Sequence, residues 1–588
     1  MCGICGQVNF DGKQINQKHI SNLMQSIANR GKDSYGTYEK NNIFLGHHRL
    51  SVIDTSAMSN QPMEFEDMVL VFNGVIYNYK SLKEKLISLG HYFKTTGDTE
   101  VVLRAYIEFG EKCVEEFDGV FALCIYEKES KKVFLARDRL GIKPLYYMFD
   151  GSCFSFSSSM LGLIKNKTNI NINPKALHFQ FTLHSVVPAP DTIIESINKL
   201  EPGFTLSISS KGKKSYRKYF DINIITTKTY SDEEIVNSSK YLLNKAIEKR
   251  ILISDVPVGV LLSGGLDSSI ITAMAKTINT SVNTYSIGFD TINEEIGDEF
   301  KYSDKVSDIF KTKHHKYYMT DSDLFSSLDT VIANMSEPMF SQDSSAFNLL
   351  AKNVSQNHKV VLSGQGADEV FGGYFWYKKI YENNDENDTE VFSKYYFDRT
   401  HHKYKEAINK QYIFDNYTYN SINDIFDDMN PELSLLDKVF RLELSMLIID
   451  DPVKRIDSMT MAHSLETRVP FLDIDLISYM LSVKGEAKIK NDSKYYLKKL
   501  SKEYLPDDII YRKKFYFPVP PLKILKNEFY RYCKNILTSE RAINRKIYNQ
   551  KYINELINNP NKYYTNLNGN ELWHFTLLER WLQLNIEH

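Results

Sequence analysis

The stretch VPVGVLLSGGLDSSIITAMAKTI, residues 256–278, limits what this chain can fold into more than any other. VPVGVLL (256–262) is a short continuous apolar run of the kind that forms a strand buried on both faces. A Gly-Ser loop follows, and then the apolar helix IITAMAKTI (270–278). The pattern repeats: TYSIGF (284–289) precedes the helical YSDKVSDIF (302–310), and KVVLSGQG (359–366) is a third strand-to-loop unit. Strands alternating with helices imply a parallel sheet with crossover helices. In such a sheet ligands bind outside the carboxyl ends of the strands, which is where SGGLDSS (263–269) falls. Gly264 and Gly265 let the backbone approach an anion, the helix N-terminus favours phosphate, and Ser263, Ser268 and Ser269 add hydroxyls. Asp267 alone would repel phosphate, so its presence calls for Mg2+ between carboxylate and phosphates. The G-x-x-x-x-G-K-[ST] loop is absent from this segment, and the plain alternative is a Ser-Gly turn capping a helix.

A second Gly-rich turn, LSGQGADEVFGGY (362–374), offers Asp368 as another carboxylate for the same cation. Before residue 210 the pattern is different. MVLVFNG (68–74), FALCIYE (121–127) and KVFLARD (132–138) are short strands with turn signals, and the polar SSKGKKS (209–215) reads as a linker. With 588 residues, too many for one core, this predicts two domains, 2–210 and 211–588. DEEIVNSSKYLLNKAIEKRI (232–251) places Ile235, Tyr241, Leu242, Ala246 and Ile247 at helical spacing, whereas 381–430, rich in Asn, Asp and Tyr, reads as a polar insertion or helical surface more than a core. A net charge of -2 gives no surplus to bind a nucleic-acid backbone. No apolar run reaches the ~18 residues of a membrane span, no secretory signal is present, and the six cysteines are scattered. A cytoplasmic protein with small-molecule substrates, and neither nucleic-acid nor membrane partners, is the expectation.

The chain opens MCGICGQVNF. Cys2 and Cys5 lack the second pair that tetrahedral zinc needs, and a redox pair belongs at a helix start, whereas this segment reads as a strand. Removal of Met1 would leave Cys2 with a free α-amine of intrinsic pKa about 7.7–8.0, able to act as base toward its own thiol. Cys5 then has no chemistry. Arg49 in GHHRLSVID (46–54) suits a substrate carboxylate, Asn73 and the Gly74 amide in FNGVIYN (72–78) suit an oxyanion, and Asp98 in TTGDTE (95–100) suits an ammonium. Individually these read as an ion pair, a hairpin turn and a loop cap.

SGGLDSS resembles the pyrophosphate loop of the ATP pyrophosphatases, which cleave ATP between the α and β phosphates. The whole chain resembles the asparagine synthetase family of class II glutamine amidotransferases. The resemblance extends through RGKDSYG (30–36), QPM (61–63), ARDRLGIKPLYY (136–147), SDVPVGVLLSGGLDSS (254–269) and SLETRVPFLD (464–473). It implies an α/β protein (α+β overall): an N-terminal-nucleophile glutaminase sandwich (αββα), then an ATP-pyrophosphatase parallel α/β domain with a helical C-terminal part. Glutamine would acylate Cys2, ammonia would pass through an internal tunnel, and ATP would turn an acceptor carboxylate into an acyl-adenylate that ammonia amidates. The resemblance further implies glutamine contacts from Arg49, Leu50, Ser51, Val52, Ile53, Asn73, Gly74, Val75 and Asp98. Leu262, Ile287, Ser363 and Gly364 would join the 263–269 loop around ATP, Lys514 in YRKKFYFPVP (511–520) would steady the transition state, and a homodimer stays open.

Val75 stands where an acid helps hold the glutamine ammonium, which puts more weight on Asp98. Gln365 replaces a glutamate that matters for the intermediate in asparagine-forming members, and Lys32 stands where proline is usual. HSVVPAPDTI (184–193), EEIGDEFKYSD (294–304), MSEPMFSQD (335–343), DDPVKRIDSMTMA (450–462) and KKFYFPVPPLKIL (513–525) look closer to N-acetylglutaminylglutamine amidotransferases, with Phe515, Tyr516, Phe517 and Pro518 as walls of a longer cleft. The acceptor expected is therefore a capped dipeptide, with aspartate as the alternative. A tRNA-modifying enzyme would need a basic surface and cysteines near the loop, and residues 254–380 contain none. A non-catalytic relative would not need Cys2, Asn73, Asp267, Asp368 and Lys514 together.

Overall fold

The computed structural model describes residues 2–167, 169–224, 226–383, 387–514 and 519–586. The N-terminal unit is an αββα sandwich of two six-stranded antiparallel sheets. One runs, in spatial order, Asn198–Lys199, Tyr146–Phe149, Cys153–Ser157, Gly3–Asn9, Ile43–Arg49 and Ser34–Lys40. The other runs Lys214–Lys218, Phe204–Ile208, Val133–Arg137, Gly119–Glu127, Met68–Ile76 and Met63–Phe65. Alternate residues of each strand face the gap between the sheets, where Ile4, Leu45, Val71, Cys124, Leu135 and Phe156 pack. Helix Gln17–Ile27 covers the first sheet with Ile20, Leu23 and Ile27, while Tyr79–Ser88 and Asp98–Phe109 cover the second.

The C-terminal unit is built on a five-stranded, wholly parallel sheet ordered Lys313–Met319, Asn283–Phe289, Val258–Leu261, Val360–Leu362 and Glu466–Arg468. The chain winds outward from Val258–Leu261 in one direction, then returns to start Val360–Leu362 on its other side. That reversal opens a crevice between the loops leaving these two strands, and these loops are SGGLDSS and SGQGADE. The helical C-terminal part closes the domain, with helix Glu571–Asn585 burying Trp573, Leu577, Leu578 and Trp581. The two units share one apolar core in which Leu50 and Phe72 lie with Leu243 and Val258. Buried polar contacts pin the boundary: Arg30 to Asp457 (2.8 Å), Lys199 to Asp450 (2.6 Å) and the Tyr146 hydroxyl to Glu337 (2.9 Å).

Three sequence expectations need correction. Residues 209–215 are no linker: Ser209 N–H donates to Lys213 O, and the chain returns as strand Lys214–Lys218, an edge of the sandwich. In helix Asp232–Leu252 the buried face carries Leu243, whereas Tyr241 is 62% exposed, because the buried stripe runs through Ile235, Ser239, Leu243, Ala246, Ile247 and Arg250. The stretch 381–430 is helical where described, and it buries Val391, Phe392, Tyr404, Ile422 and Phe426 between its polar positions. Near the crevice the rod from Leu435 to Met461 widens into π-helical turns over Glu443–Leu447 and Ile449–Val453. Pro452, which has no amide to donate, lies in the second of them, and the wide turn sets Pro452 and Arg455 in the crevice wall.

Candidate active sites

Cys2 directly precedes strand Gly3–Asn9, an inner strand of the first sheet. Its backbone nitrogen donates to Asn73 Oδ1 (3.0 Å), its carbonyl accepts from Arg30 Nε (3.0 Å), and Sγ lies 3.9 Å from Leu50 O. Asn73 is fully buried on Met68–Ile76. With Oδ1 committed to Cys2, its Nδ2 has no hydrogen-bond partner. An unsatisfied buried donor costs about 1–3 kcal/mol, so an amide left this way beside a thiol marks where a substrate oxygen fits. A Cβ on the next residue, Gly74, would sit 2.4 Å from Val120 O, so only glycine admits the approach of that strand. Val75 is buried against it.

Asp98 opens helix Asp98–Phe109 and accepts the Ile76 N–H at Oδ2 (3.0 Å), which ties it to the strand that carries Asn73. Burial pushes its carboxyl up to about 6, against the lowering effect of that hydrogen bond. Arg49, also buried, spends three donors on its own loop: Nη1 on Ser56 O (2.7 Å) and Asn60 Oδ1 (2.8 Å), and Nη2 on Asp54 O. The guanidinium is thereby fixed. Leu50, Ser51, Val52 and Ile53 form the following loop, in which Ser51 N–H donates to Asp33 (2.7 Å) and Val52 O accepts from Asp255 N–H of the C-terminal unit (2.9 Å). Burial pushes the Cys2 thiol up, so it needs a base close at hand. Cys5 lies beneath helix Gln17–Ile27 with Sγ 3.8 Å from Met24 Sδ, a packed residue with no polar partner.

In the other unit the crevice is lined by Leu262, Ser263, Gly265, Asp267 and Ser268 from one loop and by Ser363, Gly364, Gln365 and Asp368 from the other. Ile287 and Lys514 complete the set expected from sequence. Ser263 and Ser268 hydroxyls lie 3.1 Å apart across the loop. Gly264 has φ +78°, and a Cβ there would meet Ser303 N at 2.5 Å, so it is the hinge on which the loop turns. Gly264 and Ser269 do not line the crevice: Gly264 turns the loop from behind, and Ser269 is fully buried inside helix Leu266–Ile278.

Asp267 and Asp368 do converge, on a residue that no motif announced. Lys494 Nζ touches both Asp267 oxygens (2.7 Å each) and Asp368 Oδ1 (2.8 Å), and Lys514 also pairs with Asp368. Burial works to raise both carboxyls. On Asp368 the two lysines outweigh it and hold the group at about 2, whereas Asp267 stays raised. The two carboxylates thus share one cation, the Lys494 ammonium, and carboxylate oxygens are donors of the kind a divalent ion takes. Lys494 takes a left-handed backbone (φ +55°), and a Cβ on Gly373 would lie 2.2 Å from its Cε. Arg512 likewise went unassigned: it donates to Gly264 O (3.0 Å) and pairs with Glu299, clamping the loop from behind. Lys514 Nζ stands 4.6 Å from the centre of the Tyr374 ring. Phe515, Tyr516, Phe517 and Pro518 lie outside the described residues. Among the described residues no helix is long and apolar enough to cross a membrane.

Residues 239–583 match the sequence profile of asparagine synthase, and residues 1–220 match that of the glutamine amidotransferase domain. A glutamine-hydrolysing asparagine synthetase of Bacillus subtilis strain 168 is 29% identical over an alignment covering 100% of this chain and 97% of its own length. A second asparagine synthetase of the same strain is 29% identical, covering 95% and 93%.

Proposed function

Because the chain belongs to the asparagine synthase family and is a glutamine-dependent carbon–nitrogen ligase, we propose a division of labour between its two sites. With Met1 removed, the nitrogen of Cys2 becomes an α-amine held by Asn73 Oδ1, and it takes the thiol proton. Sγ attacks the glutamine amide carbon, the developing oxyanion accepts from Asn73 Nδ2 and the Gly74 amide, and collapse breaks the C–N bond to release ammonia. Water then cleaves the thioester to glutamate. Arg49 and the Leu50–Ile53 loop receive the α-carboxylate of glutamine, and Asp98 its ammonium. Asn73→Ala is expected to lower kcat for glutamine hydrolysis by about 10^2–10^3 with KM little changed. Steady-state glutamate release checks this.

Asp98 gives a pH signature. The ammonium binds only the ionised carboxylate, and in the free protein that group titrates near 6. Protonation of Asp98 is therefore expected to add a further fall of about tenfold in glutamine kcat/KM per pH unit below about pH 6, on top of the fall that protonation of the Cys2 α-amine causes from its own higher pKa downward. Asp98→Asn should raise KM and remove this inflection.

In the second site the acceptor carboxylate attacks the α-phosphorus of ATP. Pyrophosphate leaves, and ammonia displaces AMP from the acyl-adenylate while losing a proton. The 263–269 loop, Ser363 and Gly364 hold the nucleotide, Lys494 and Lys514 neutralise the departing pyrophosphate, and Gln365 borders the acyl group. Mg2+ would be held by Asp267 and Asp368, and it would supply neutralisation of phosphate charge.

For the acceptor we favour a single carboxylate at the end of a capped dipeptide. The observation that carries this is that, among the described residues, the cations at the crevice, Arg455, Lys514 and Lys494, are all already paired with carboxylates. Arg455 is bound by Asp343 (2.9 Å) and Asp451 (2.5 Å), and Lys514 by Asp368. Aspartate brings a second carboxylate that needs a cation of its own, whereas the blocked end of a capped dipeptide needs none. The names of the relatives favour aspartate and asparagine formation. Specificity constants for N-acetylglutaminylglutamine and aspartate, each with ATP, Mg2+ and glutamine, decide between them. Aspartate turning over at least as efficiently would restore asparagine synthesis.

A further inference from the structure

Away from both sites, His184, Asp398 and His574 bring one donor atom each to within 4.8 Å of one another. They come from three distant segments: the turn after helix Pro174–Thr182, the end of helix Asp388–Tyr396, and helix Glu571–Asn585. Asp398 is wholly buried. Its Oδ1 accepts the Leu567 N–H (3.1 Å), which leaves Oδ2 toward His184 Nδ1 at 3.0 Å and His574 Nδ1 at 3.8 Å. His574 is 1% exposed, and its Nδ1 makes no hydrogen bond although it faces that oxygen. The ring is locked by stacking on Phe340 (4.5 Å between centroids) and by Gly569, where a Cβ would lie 2.3 Å from Nε2. His184 and Ser185 both take left-handed backbone (φ +51° and +74°), which turns the His184 ring inward. Two such non-glycine residues in succession cost about 1–3 kcal/mol each and persist only where the surroundings hold them.

We propose that these three side chains bind one zinc-like divalent ion, with a fourth position open on the partly exposed His184 side. Tetrahedral zinc with bonds of about 2.0–2.1 Å spaces its ligands about 3.3 Å apart; the two nitrogen-to-oxygen edges at Asp398 Oδ2, 3.0 and 3.8 Å, bracket that spacing, and the two histidine nitrogens lie within 4.8 Å of one another. Arg399, next to Asp398 in the chain, is paired with Glu571 (3.3 Å), and the side chains that directly face the buried Asp398 carboxylate are His184 and His574. A divalent ion would take up the unused Nδ1 of His574 together with His184 Nδ1 and Asp398 Oδ2. The ion would tie the loop behind Ser185, whose hydroxyl accepts the Phe340 N–H, to the last helix of the chain.

The test uses the full-length Cys2→Ala protein, which lacks the competing thiolate, stripped with chelator and dialysed against micromolar free zinc. One equivalent of zinc per chain is expected, together with a rise in Tm and, on cobalt substitution, the visible bands of a tetrahedral site. His184→Asn and His574→Gln should each weaken zinc binding by more than about 100-fold. His184→Asn carries the test alone if the buried His574→Gln variant does not fold. No zinc uptake by the parent protein, or an equivalent that folded variants retain, would overturn the assignment.

Discussion

Cys2→Ala is expected to cut amide formation from glutamine by more than about 10^4-fold while leaving amide formation from added ammonium within about twofold. In the proposed division of labour the thiolate only liberates nitrogen, and the crevice assigned to acyl-adenylate formation lies in the other unit, built from loops that Cys2 does not touch. The substitution should also be structurally mild. It removes one sulfur from a side chain that contacts Leu50 O at 3.9 Å, while the backbone bonds to Asn73 and Arg30 remain. Rates with glutamine and with ammonium, measured on the same preparation, separate this outcome from a general loss of activity. Loss of the ammonium-dependent rate in a folded protein would contradict the assignment.

The second large effect is expected at Lys494. Lys494→Ala leaves Asp267 and Asp368 facing one another with a single cation, Lys514, on one of them. Removing one partner of a buried ion cluster costs about 3–5 kcal/mol, and here that cost falls where the triphosphate must bind. AMP formation is expected to drop by about 10^3-fold, whereas glutamine hydrolysis persists at its basal rate. Lys494→Arg keeps the charge but not the point geometry, and it should recover only part of the loss. Asp267→Asn and Asp368→Asn should likewise stop adenylate formation and spare the glutaminase. A Lys494→Ala protein that forms AMP at the parent rate would remove the lysine from the reaction.

The contrast between Asp267 and Lys494 shows why one part of the site was legible in the sequence and the other was not. Asp267 sits in a contiguous string whose strand, glycines and serines all serve the same turn, so its local context states its role. Lys494 reaches the same point from 227 residues away. Its neighbours NDSKYYLKK read as an ordinary basic surface helix, and only the left-handed backbone and the gap left by Gly373 bring it inward. Asn73 and Gly74 were legible for the same reason as Asp267, being adjacent on one strand. The unspent Nδ2 of Asn73 was not, because it depends on Cys2 claiming Oδ1 from 71 residues away. At the level of fold, strand–loop–helix alternation predicts the parallel sheet, while the order of strands, and hence the crevice at its reversal, comes from long-range pairing. The edge strand Lys214–Lys218 escaped notice because it is exposed and basic, as edge strands are when they discourage further pairing.

In the proposed reaction, nitrogen freed at Cys2 reaches an acyl-adenylate formed between the Asp267 and Asp368 loops. Glutamine labelled with nitrogen-15 in its amide tests this directly, with ATP, Mg2+ and the preferred acceptor, by following label, AMP and pyrophosphate together. Labelled nitrogen is expected in the product amide, with one AMP and one pyrophosphate formed per amide, and loss of the label from product in Cys2→Ala. Release of ADP and phosphate in place of AMP and pyrophosphate, or label accumulating only as free ammonium while acceptor and ATP stay unconsumed, would contradict it.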